Sequence, residues 1–291
     1  MRRVIALVLA VLALSAFPAQ AATAIPAGEA SFVFSDALGQ PDRPVRVFTY
    51  RPTQCDTKCP IQFVMHGKGR TAENYRRYWK SAADRHGFIV VAPEFSTRHW
   101  PGEEGYNFGD VAAQSDRGKW SYALIEHLFD AIRDGHGDYR IFGHSAGSQF
   151  VHRFMILLPD NRASVAIAAN AGRYAMPEWR GDKAVFPWPD SLAGSPAGEK
   201  ELRQALGRRL TVMVGELDVD PNHKDLDRSA GAMAQGANRV ERARAFFRAA
   251  GNAAQELGVH FAWEFATVPG SAHSGAKMSR AAATLVYGTG S

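Results

Sequence analysis

The stretch Gly143-His144-Ser145-Ala146-Gly147 follows directly on the short apolar run Tyr139-Arg140-Ile141-Phe142, and a helical pattern of apolar residues comes after it. A G-x-S-x-G pentapeptide between a strand and a helix predicts a sharp turn whose central residue is held in a strained backbone conformation. The flanking glycines have no Cβ, so strand and helix can pack closely around the turn. The central hydroxyl then lies at a helix N-terminus, where backbone N–H groups can bind an oxyanion. We therefore predict that Ser145 is a catalytic nucleophile.

Strand-like and helical patterns alternate along the rest of the chain. The strand-like runs are residues 31–34, 45–50, 61–65, 88–92, 139–142, 164–169, 210–214 and 261–268. The first two alternate in polarity and predict an antiparallel start, whereas the others are dense in apolar residues, as in strands covered on both faces. The helical patterns are residues 72–86, 115–133, 148–158, 239–257 and 274–286. This order predicts an α/β fold with a mostly parallel sheet of about eight strands and helices on both faces.

Residues 172–207 interrupt the alternation. The segment contains Trp179 and Trp188 together with several prolines and glycines. Connections of this length in compact domains are often functional. We interpret it as a small cap insertion in a single domain that spans residues 22–291. The alternative is a packed surface excursion whose tryptophans only cover the core.

The N-terminus has the pattern of a secretory signal peptide. Arg2 and Arg3 precede an apolar run at residues 4–14, which is too short to span a bilayer, and Ala19-Gln20-Ala21 is a small-x-small cleavage site. We predict a signal peptide at residues 1–21, rather than an uncleaved anchor. The mature protein would then be secreted or periplasmic, without a stable membrane anchor.

Charge argues against a nucleic-acid partner. The formal net charge of +5 falls to +3 when Arg2 and Arg3 are removed with the leader. No run of Lys and Arg is long enough to form a nucleic-acid-binding stripe.

The chain has 2 cysteines, Cys55 and Cys59. No second Cys/His pair has the spacing of a zinc site, so we predict no metal there. An exported chain with two nearby cysteines favours a disulfide between them, closing a small loop between two early strands.

A serine nucleophile needs an orienting acid, which in the predicted fold follows the serine in the sequence. The buried run at residues 210–214 is followed by Gly215-Glu216-Leu217-Asp218. We predict that Asp218 is this acid, because it would lie just beyond the C-terminal end of a strand. Glu216 and Asp220 in the same turn are the alternatives.

The base should follow the acid. The last strand-like run ends at Val268, and the loop Pro269-Gly270-Ser271-Ala272-His273 comes after it. A loop beyond the last strand can bring an imidazole to the serine, so we predict His273 as the base. His223 is the alternative, in a polar turn.

An oxyanion hole needs two N–H donors. One should be Ala146, which follows the nucleophile. The other should come from the loop His66-Gly67-Lys68-Gly69-Arg70 after residues 61–65. We assign it to the Lys68 N–H, with Gly67 as the alternative, and expect His66 to brace the loop.

Together these motifs resemble the α/β-hydrolase superfamily over nearly the whole mature chain. The resemblance rests on His66-Gly67, Gly143 to Gly147, Gly215 to Asp218 and Gly270 to His273. Residues 82–94 also look like the corresponding run in secreted polyhydroxyalkanoate depolymerases and feruloyl esterases, and exported poly(aspartic acid) hydrolases are a comparable branch. The chain lacks the multiple cysteines and attached binding domains of many such enzymes.

The resemblance implies a cofactor-independent serine hydrolase that cleaves carboxylic esters, in a small molecule or a polymer. An amidase or peptidase could use the same residues, and a catalytically silent binding protein could share the fold.

Two residue groups could contact substrate. A cationic rim could attract a carboxylated ester, and aromatic side chains could form an apolar wall. The rim comprises Lys68, Arg70, Arg76, Arg77, Lys80, Arg98 and His99, and the wall Trp100, Tyr106, Trp179 and Trp188.

Overall fold

The computed structural model describes residues 23–288. In this part of the chain the strands are β1 Gly28–Phe34, β2 Val45–Arg51, β3 Ile61–Met65, β4 Ile89–Glu94, β5 Tyr139–His144, β6 Ala163–Ala169, β7 Leu210–Gly215 and β8 Glu264–Val268. The α-helices are α1 Ala72–His86, α2 Ala123–Ile132, α3 Ala146–Leu157, α4 Glu199–Leu206, α5 Ala230–Gln235, α6 Arg239–Leu257 and α7 Gly275–Tyr287.

All the strands belong to one sheet, in the order β1-β2-β4-β3-β5-β6-β7-β8. β1 pairs with β2, and β2 with β4, in the antiparallel sense, and every later pair is parallel. The prediction of a mostly parallel sheet of about eight strands with an antiparallel start is confirmed. Because the parallel strands point the same way, the loops after β3, β5, β7 and β8 open at the same edge of the sheet.

Helices cover both faces, as the dense apolar strands predicted. On one face, Trp79 of α1 and Met278 of α7 pack on the sheet in one buried cluster. On the other face, the larger cluster includes Phe129 of α2, Phe150 of α3 and Phe246 of α6. Every residue of β3 and β7 is buried, because both strands lie inside the sheet and beneath both helical layers.

Two predicted elements are shorter in the structure. Residues 261–263 do not extend β8, because the Ala262 N–H and the Trp263 indole donate to carbonyls near the end of α4 instead of to the sheet. The helix predicted at residues 115–133 begins only at Ala123. Before it, the Asp116 side chain accepts the Gly118 N–H and closes a separate 3-10 turn over Arg117–Lys119.

Two short helices were not predicted. α4 begins at Glu199, where the Glu201 side chain accepts the Gly198 N–H, and α5 begins after Ser229, whose hydroxyl accepts the Ala232 N–H. Both have too few residues for an apolar periodicity to stand out from the surrounding sequence.

Residues 172–207 contain no strand, and before α4 they form no helix. Met176 and Ser191 form an isolated bridge, and Tyr174, Ala175 and Leu192 are fully buried against the larger cluster. Part of the segment therefore belongs to the core of the domain. Its interpretation as a cap stays a prediction.

The predicted signal peptide at residues 1–21 lies outside the described residues. None of the helices within residues 23–288 has the length and apolar character needed to span a bilayer.

Cys55 and Cys59 form the predicted disulfide in the turn between β2 and β3, with a sequence separation of 4. Closing so short a loop restricts the unfolded chain little, so the bond should stabilise the fold by only about 2 kcal/mol. We expect reduction to lower the Tm by a few degrees without loss of the fold. Thermal unfolding with and without reductant, followed by circular dichroism, measures this. Unfolding at room temperature on reduction would contradict it.

Candidate active site

The turn after β5 has the strained geometry that the pentapeptide predicted. Ser145 has φ 59° and ψ −117°, a left-handed conformation that is rare for a residue with a side chain. A hydrogen bond to the neighbouring strand fixes the turn, because the Ser145 N–H donates to the carbonyl of Ala169, the last residue of β6, at 2.9 Å. A Cβ at Gly143 would collide with the carbonyl of Gly147, and one at Gly147 with the carbonyl of Met65. Glycine is therefore required at both positions for α3 to pack this close to the sheet.

The structure brings Ser145, His273 and Asp218 together at the C-terminal edge of the sheet. Ser145 Oγ lies 3.1 Å from His273 Nε2, and His273 Nδ1 lies 2.7 Å from Asp218 Oδ2. The three residues follow β5, β8 and β7 respectively. This geometry allows a hydroxyl proton to pass to the imidazole while the carboxylate holds the ring in orientation.

Asp218 is 3% exposed and is held by two residues that the sequence did not single out. Asn170 Nδ2 donates to Asp218 Oδ2 at 2.6 Å, and Arg239 donates to Oδ1 at 3.1 Å. Burial acts to raise the pKa of Asp218, but the hydrogen bond and charge of His273, with further contributions from Arg239 and Asn170, leave that pKa below its ordinary value. The carboxylate therefore stays ionised.

The alternative residues for the acid and the base have other partners. Glu216 accepts a hydrogen bond from Thr267, and Asp220 accepts the N–H of Asn222. His223 accepts the N–H of Asp225, with its ring centroid 5.3 Å from that of His273. None of the three takes the place of Asp218 or His273 in the chain of hydrogen bonds.

Burial governs the charge of His273. It lowers the pKa of the imidazole below the ordinary value of 6.5, although the hydrogen bond to Asp218 opposes the shift. The imidazole is therefore neutral at pH 7, the state that can accept a proton.

The loop after β3 is braced by His66, as predicted. His66 Nδ1–H donates to the Gly67 carbonyl at 2.9 Å, and the Phe95 N–H donates to Nε2 at 3.1 Å. Burial lowers the pKa of His66 to about 3, so the ring is neutral. Within residues 23–288, neither the Lys68 N–H nor the Ala146 N–H donates to another group, and both residues border the same cavity as Ser145.

Tyr75 of α1 contacts three loops of the site, a role that no local sequence pattern indicated. Its hydroxyl is hydrogen-bonded to Nδ1 of His144, the residue directly before the nucleophile, at 2.8 Å. A Cβ at Gly67 would lie 3.0 Å from the same hydroxyl, and one at Gly275 2.9 Å from it. The hydroxyl thus packs against the loop after β3, the turn after β5 and the start of α7.

A cavity of about 540 Å³ opens beside Ser145. Its wall carries side chains of both charges and no aromatic ring. The lining residues are Lys68, Arg70, Thr97, Gly102, Glu103, Asn107, Ser145, Ala146, Gln149, Gly172, Lys224, Asp225, Leu226 and Asp227. Across the described part of the chain, no three His, Cys, Asp or Glu side chains are grouped so as to hold a metal ion.

Two solved structures resemble the whole of this domain. Poly(aspartic acid) hydrolase-1 from Sphingomonas sp. KT-1 is 36% identical, with a TM-score of 0.83, and the match covers 90% of this chain and 100% of that one. A poly(3-hydroxybutyrate) depolymerase from Bordetella parapertussis is 35% identical, with a TM-score of 0.84 over 90% of each chain. The chain belongs to the α/β-hydrolase superfamily. Within it, the chain is a hydrolase that resembles the polymer depolymerases.

More distant structures share the fold alone. An S-formylglutathione hydrolase from Agrobacterium tumefaciens has a TM-score of 0.55 at 15% identity, over 89% of this chain and 92% of that one. Comparisons with family profiles and with curated proteins find no match.

Four of the residues predicted to contact substrate do not line the cavity of this hydrolase. Tyr106 is fully buried and donates its hydroxyl to the His66 carbonyl, so it supports the loop from behind. Arg76 is 4% exposed and pairs with Glu29 of β1. Trp179 borders a separate depression beside α6, and Trp188 packs near Phe108. The prediction that these four side chains face the site is wrong.

The predicted cationic rim is also smaller than expected. Lys68 and Arg70 border the cavity, but Lys68 pairs with Asp225. Arg77 donates to Asn74, and Lys80 pairs with Asp84 on the outer face of α1. The structure adds Lys224 to the wall, together with the carboxylates of Glu103, Asp225 and Asp227. The cavity wall therefore has mixed charge instead of a single positive field.

Proposed function

We propose that this hydrolase cleaves a carboxylic ester through an acyl-enzyme, with Ser145 as nucleophile, His273 as general base and Asp218 as the orienting acid. The observation that carries the proposal is the continuous chain of hydrogen bonds from Ser145 Oγ through His273 to Asp218. His273 Nε2 takes the hydroxyl proton as Oγ attacks the acyl carbonyl. The ionised Asp218 then stabilises the imidazolium that forms.

The oxyanion of the tetrahedral intermediate would be bound by the N–H groups of Ala146 and Lys68. Both groups lack a partner among the described residues and border the cavity with Ser145. Such donors stabilise the transition state because they are oriented before charge develops on the oxygen. His273 then gives its proton to the departing alcohol, and a water molecule activated by the same ring releases the acyl group.

Cleavage of an amide is the second proposal, and the resemblance to a poly(aspartic acid) hydrolase favours it. The same residues would act, but His273 would protonate a departing amine.

We also propose export through a signal peptide at residues 1–21, supported by the disulfide, which suits an oxidising compartment. Finally, we propose that residues 172–207 border the substrate site, since Gly172 lines the cavity and Arg173 donates to Glu103, which also lines it.

Labelling with a fluorophosphonate probe tests the nucleophile, and a panel of p-nitrophenyl esters, p-nitroanilides and soluble polyesters tests the bond. We expect covalent modification at Ser145 and faster turnover of the esters than of the anilides. Anilide turnover at least equal to ester turnover would favour the amidase. Absence of labelling in folded protein would contradict a serine hydrolase of either kind.

The pH dependence of hydrolysis should reflect His273. Only the neutral ring can accept the Ser145 proton, so kcat/KM should fall as the pH drops through the pKa of His273. Because burial lowers that pKa, the midpoint of the acid limb should lie below 6.5. A pH profile with a neutral ester measures it, with circular dichroism at each pH as the control for unfolding. A midpoint above 6.5 would contradict the shift.

A further inference from the structure

The side-chain amide of Gln149 is an oriented hydrogen-bond donor on the wall of the Ser145 cavity. We propose that its Nε2–H binds an acceptor oxygen in the acyl part of the substrate, and that Gln149 thereby selects acyl groups that carry such an oxygen. The inference rests on the proposed function. Gln149 lies one turn after the nucleophile in α3, where its N–H donates to the Ser145 carbonyl at 3.1 Å.

Arg153 fixes which end of the amide faces the cavity. Arg153 NH1 lies 3.2 Å from Gln149 Oε1, and a guanidinium can only donate hydrogen bonds. The amide oxygen must therefore face Arg153. Arg153 itself has no exposed surface and is held by the Pro189 carbonyl at 2.9 Å and by the faces of Phe108 and Trp188.

A second donor enforces the same orientation. Asn107 Nδ2 lies 3.2 Å from Gln149 Oε1 and also donates to Glu103 at 3.3 Å. Glu103 is in turn held by Arg173 at 3.0 Å. This network runs from the surface to Gln149 and supplies donors to its oxygen only.

The amide nitrogen is left free by this arrangement. Gln149 is 6% exposed, and its Nε2 has no acceptor within residues 23–288. Gly172, also on the cavity wall, has no side chain there, and a Cβ at that position would lie 3.5 Å from Nε2. Nε2 belongs to a largely buried residue on the cavity wall and has no protein acceptor, so a substrate oxygen placed beside it gains a hydrogen bond that the protein itself does not supply.

The acyl part of the substrate is the part that reaches Gln149. The leaving group must depart beside His273 Nε2, which protonates it, and His273 does not line this cavity. The cavity therefore holds the other side of the scissile bond. The acceptor can be a neutral carbonyl or hydroxyl oxygen or a carboxylate. Arg70, which lines the cavity and donates to the carbonyls of Phe95 and Gly102, keeps a positive charge nearby that suits the carboxylate.

Three p-nitrophenyl esters with the same leaving group test the proposal: the pentanoate, the levulinate and the hemisuccinate. They offer an alkyl chain, a neutral ketone and a carboxylate at a similar distance from the scissile bond. Gln149→Met removes the donor without adding charge. Gln149→Glu keeps an oxygen for Arg153 and Asn107 but turns an acceptor toward the cavity. Gln204→Met makes the same chemical change outside the cavity and serves as the control.

We expect Gln149→Met to lower kcat/KM for at least one acceptor-bearing ester, relative to the pentanoate, by about three- to tenfold. A selective loss for the levulinate identifies a neutral acceptor, and a loss for the hemisuccinate alone identifies a carboxylate. Gln149→Glu should show the same or a larger selective loss, and Gln204→Met none. Equal changes for all three esters in both Gln149 variants would overturn the inference. Fluorophosphonate labelling of the wild type and both variants separates this result from failure of the proposed nucleophile.

Discussion

Ser145→Ala is expected to lower kcat for ester hydrolysis by about a million-fold and to leave the fold intact. The reason is geometric, because Ser145 Oγ is the atom that lies 3.1 Å from His273 Nε2, in a turn that lifts it to the edge of the cavity. Removing the hydroxyl removes the attacking atom, while the backbone strain at φ 59° is the same for alanine. Steady-state kinetics on a p-nitrophenyl ester, with circular dichroism of both proteins, measures the effect.

Ser148→Ala is the matched control, since it makes the same change one turn further along α3. Ser148 is fully buried, and its Oγ has no hydrogen-bond partner in the described part of the chain. We expect its activity to stay within about threefold of the wild type, because nothing in the site depends on that hydroxyl. Activity of Ser145→Ala above a tenth of the wild-type value would mean that another residue is the nucleophile.

The fold was predictable because its signals are local. Dense apolar runs mark β3 to β7, and the glycines of the pentapeptide mark the turn before α3, so each element could be assigned from neighbouring residues. In the predicted fold the acid and the histidine follow the serine along the chain. Asp218 and His273 could therefore be assigned to the loops that follow two predicted strands. The short helices α4 and α5 were missed because six to eight residues carry too little periodicity.

The supporting residues of the site were not predictable from local pattern. Asn170 reaches Asp218 across 48 positions of sequence, and Tyr75 reaches His144 across 69. Such pairs exist only after the strands and helices have packed, and any Asn or Tyr in the chain could have filled the role. Arg76 shows the opposite error. Its positive charge suggested that the side chain lies on an exposed rim of the site. In the structure the side chain instead points from α1 toward β1, where it forms an ion pair with Glu29.

Asp218→Asn is the second substitution with a large expected effect, because three donors converge on a carboxylate that the variant replaces with an amide. Asp218 accepts from His273 and Asn170 at Oδ2 and from Arg239 at Oδ1. If the amide oxygen of Asn faces Arg239, its NH₂ group faces His273 Nδ1. That ring nitrogen must then accept, and the ring proton moves to Nε2, where it blocks uptake of the Ser145 proton. If the amide is flipped, its NH₂ group confronts the buried guanidinium.

Either orientation should lower kcat by about ten-thousand-fold at the pH optimum, the effect typical of holding a catalytic histidine in the wrong tautomer. The Tm should fall as well, because Arg239, with 1% exposure, loses its counter-charge. The kinetic assays must therefore be run at a temperature below the Tm of the variant. Asp220→Asn is the control, since that exposed side chain accepts only the nearby Asn222 N–H. If Asp218→Asn keeps more than a tenth of the activity and Glu216→Gln does not, Glu216 is the acid and the hydrogen bond from His273 to Asp218 has a structural role only.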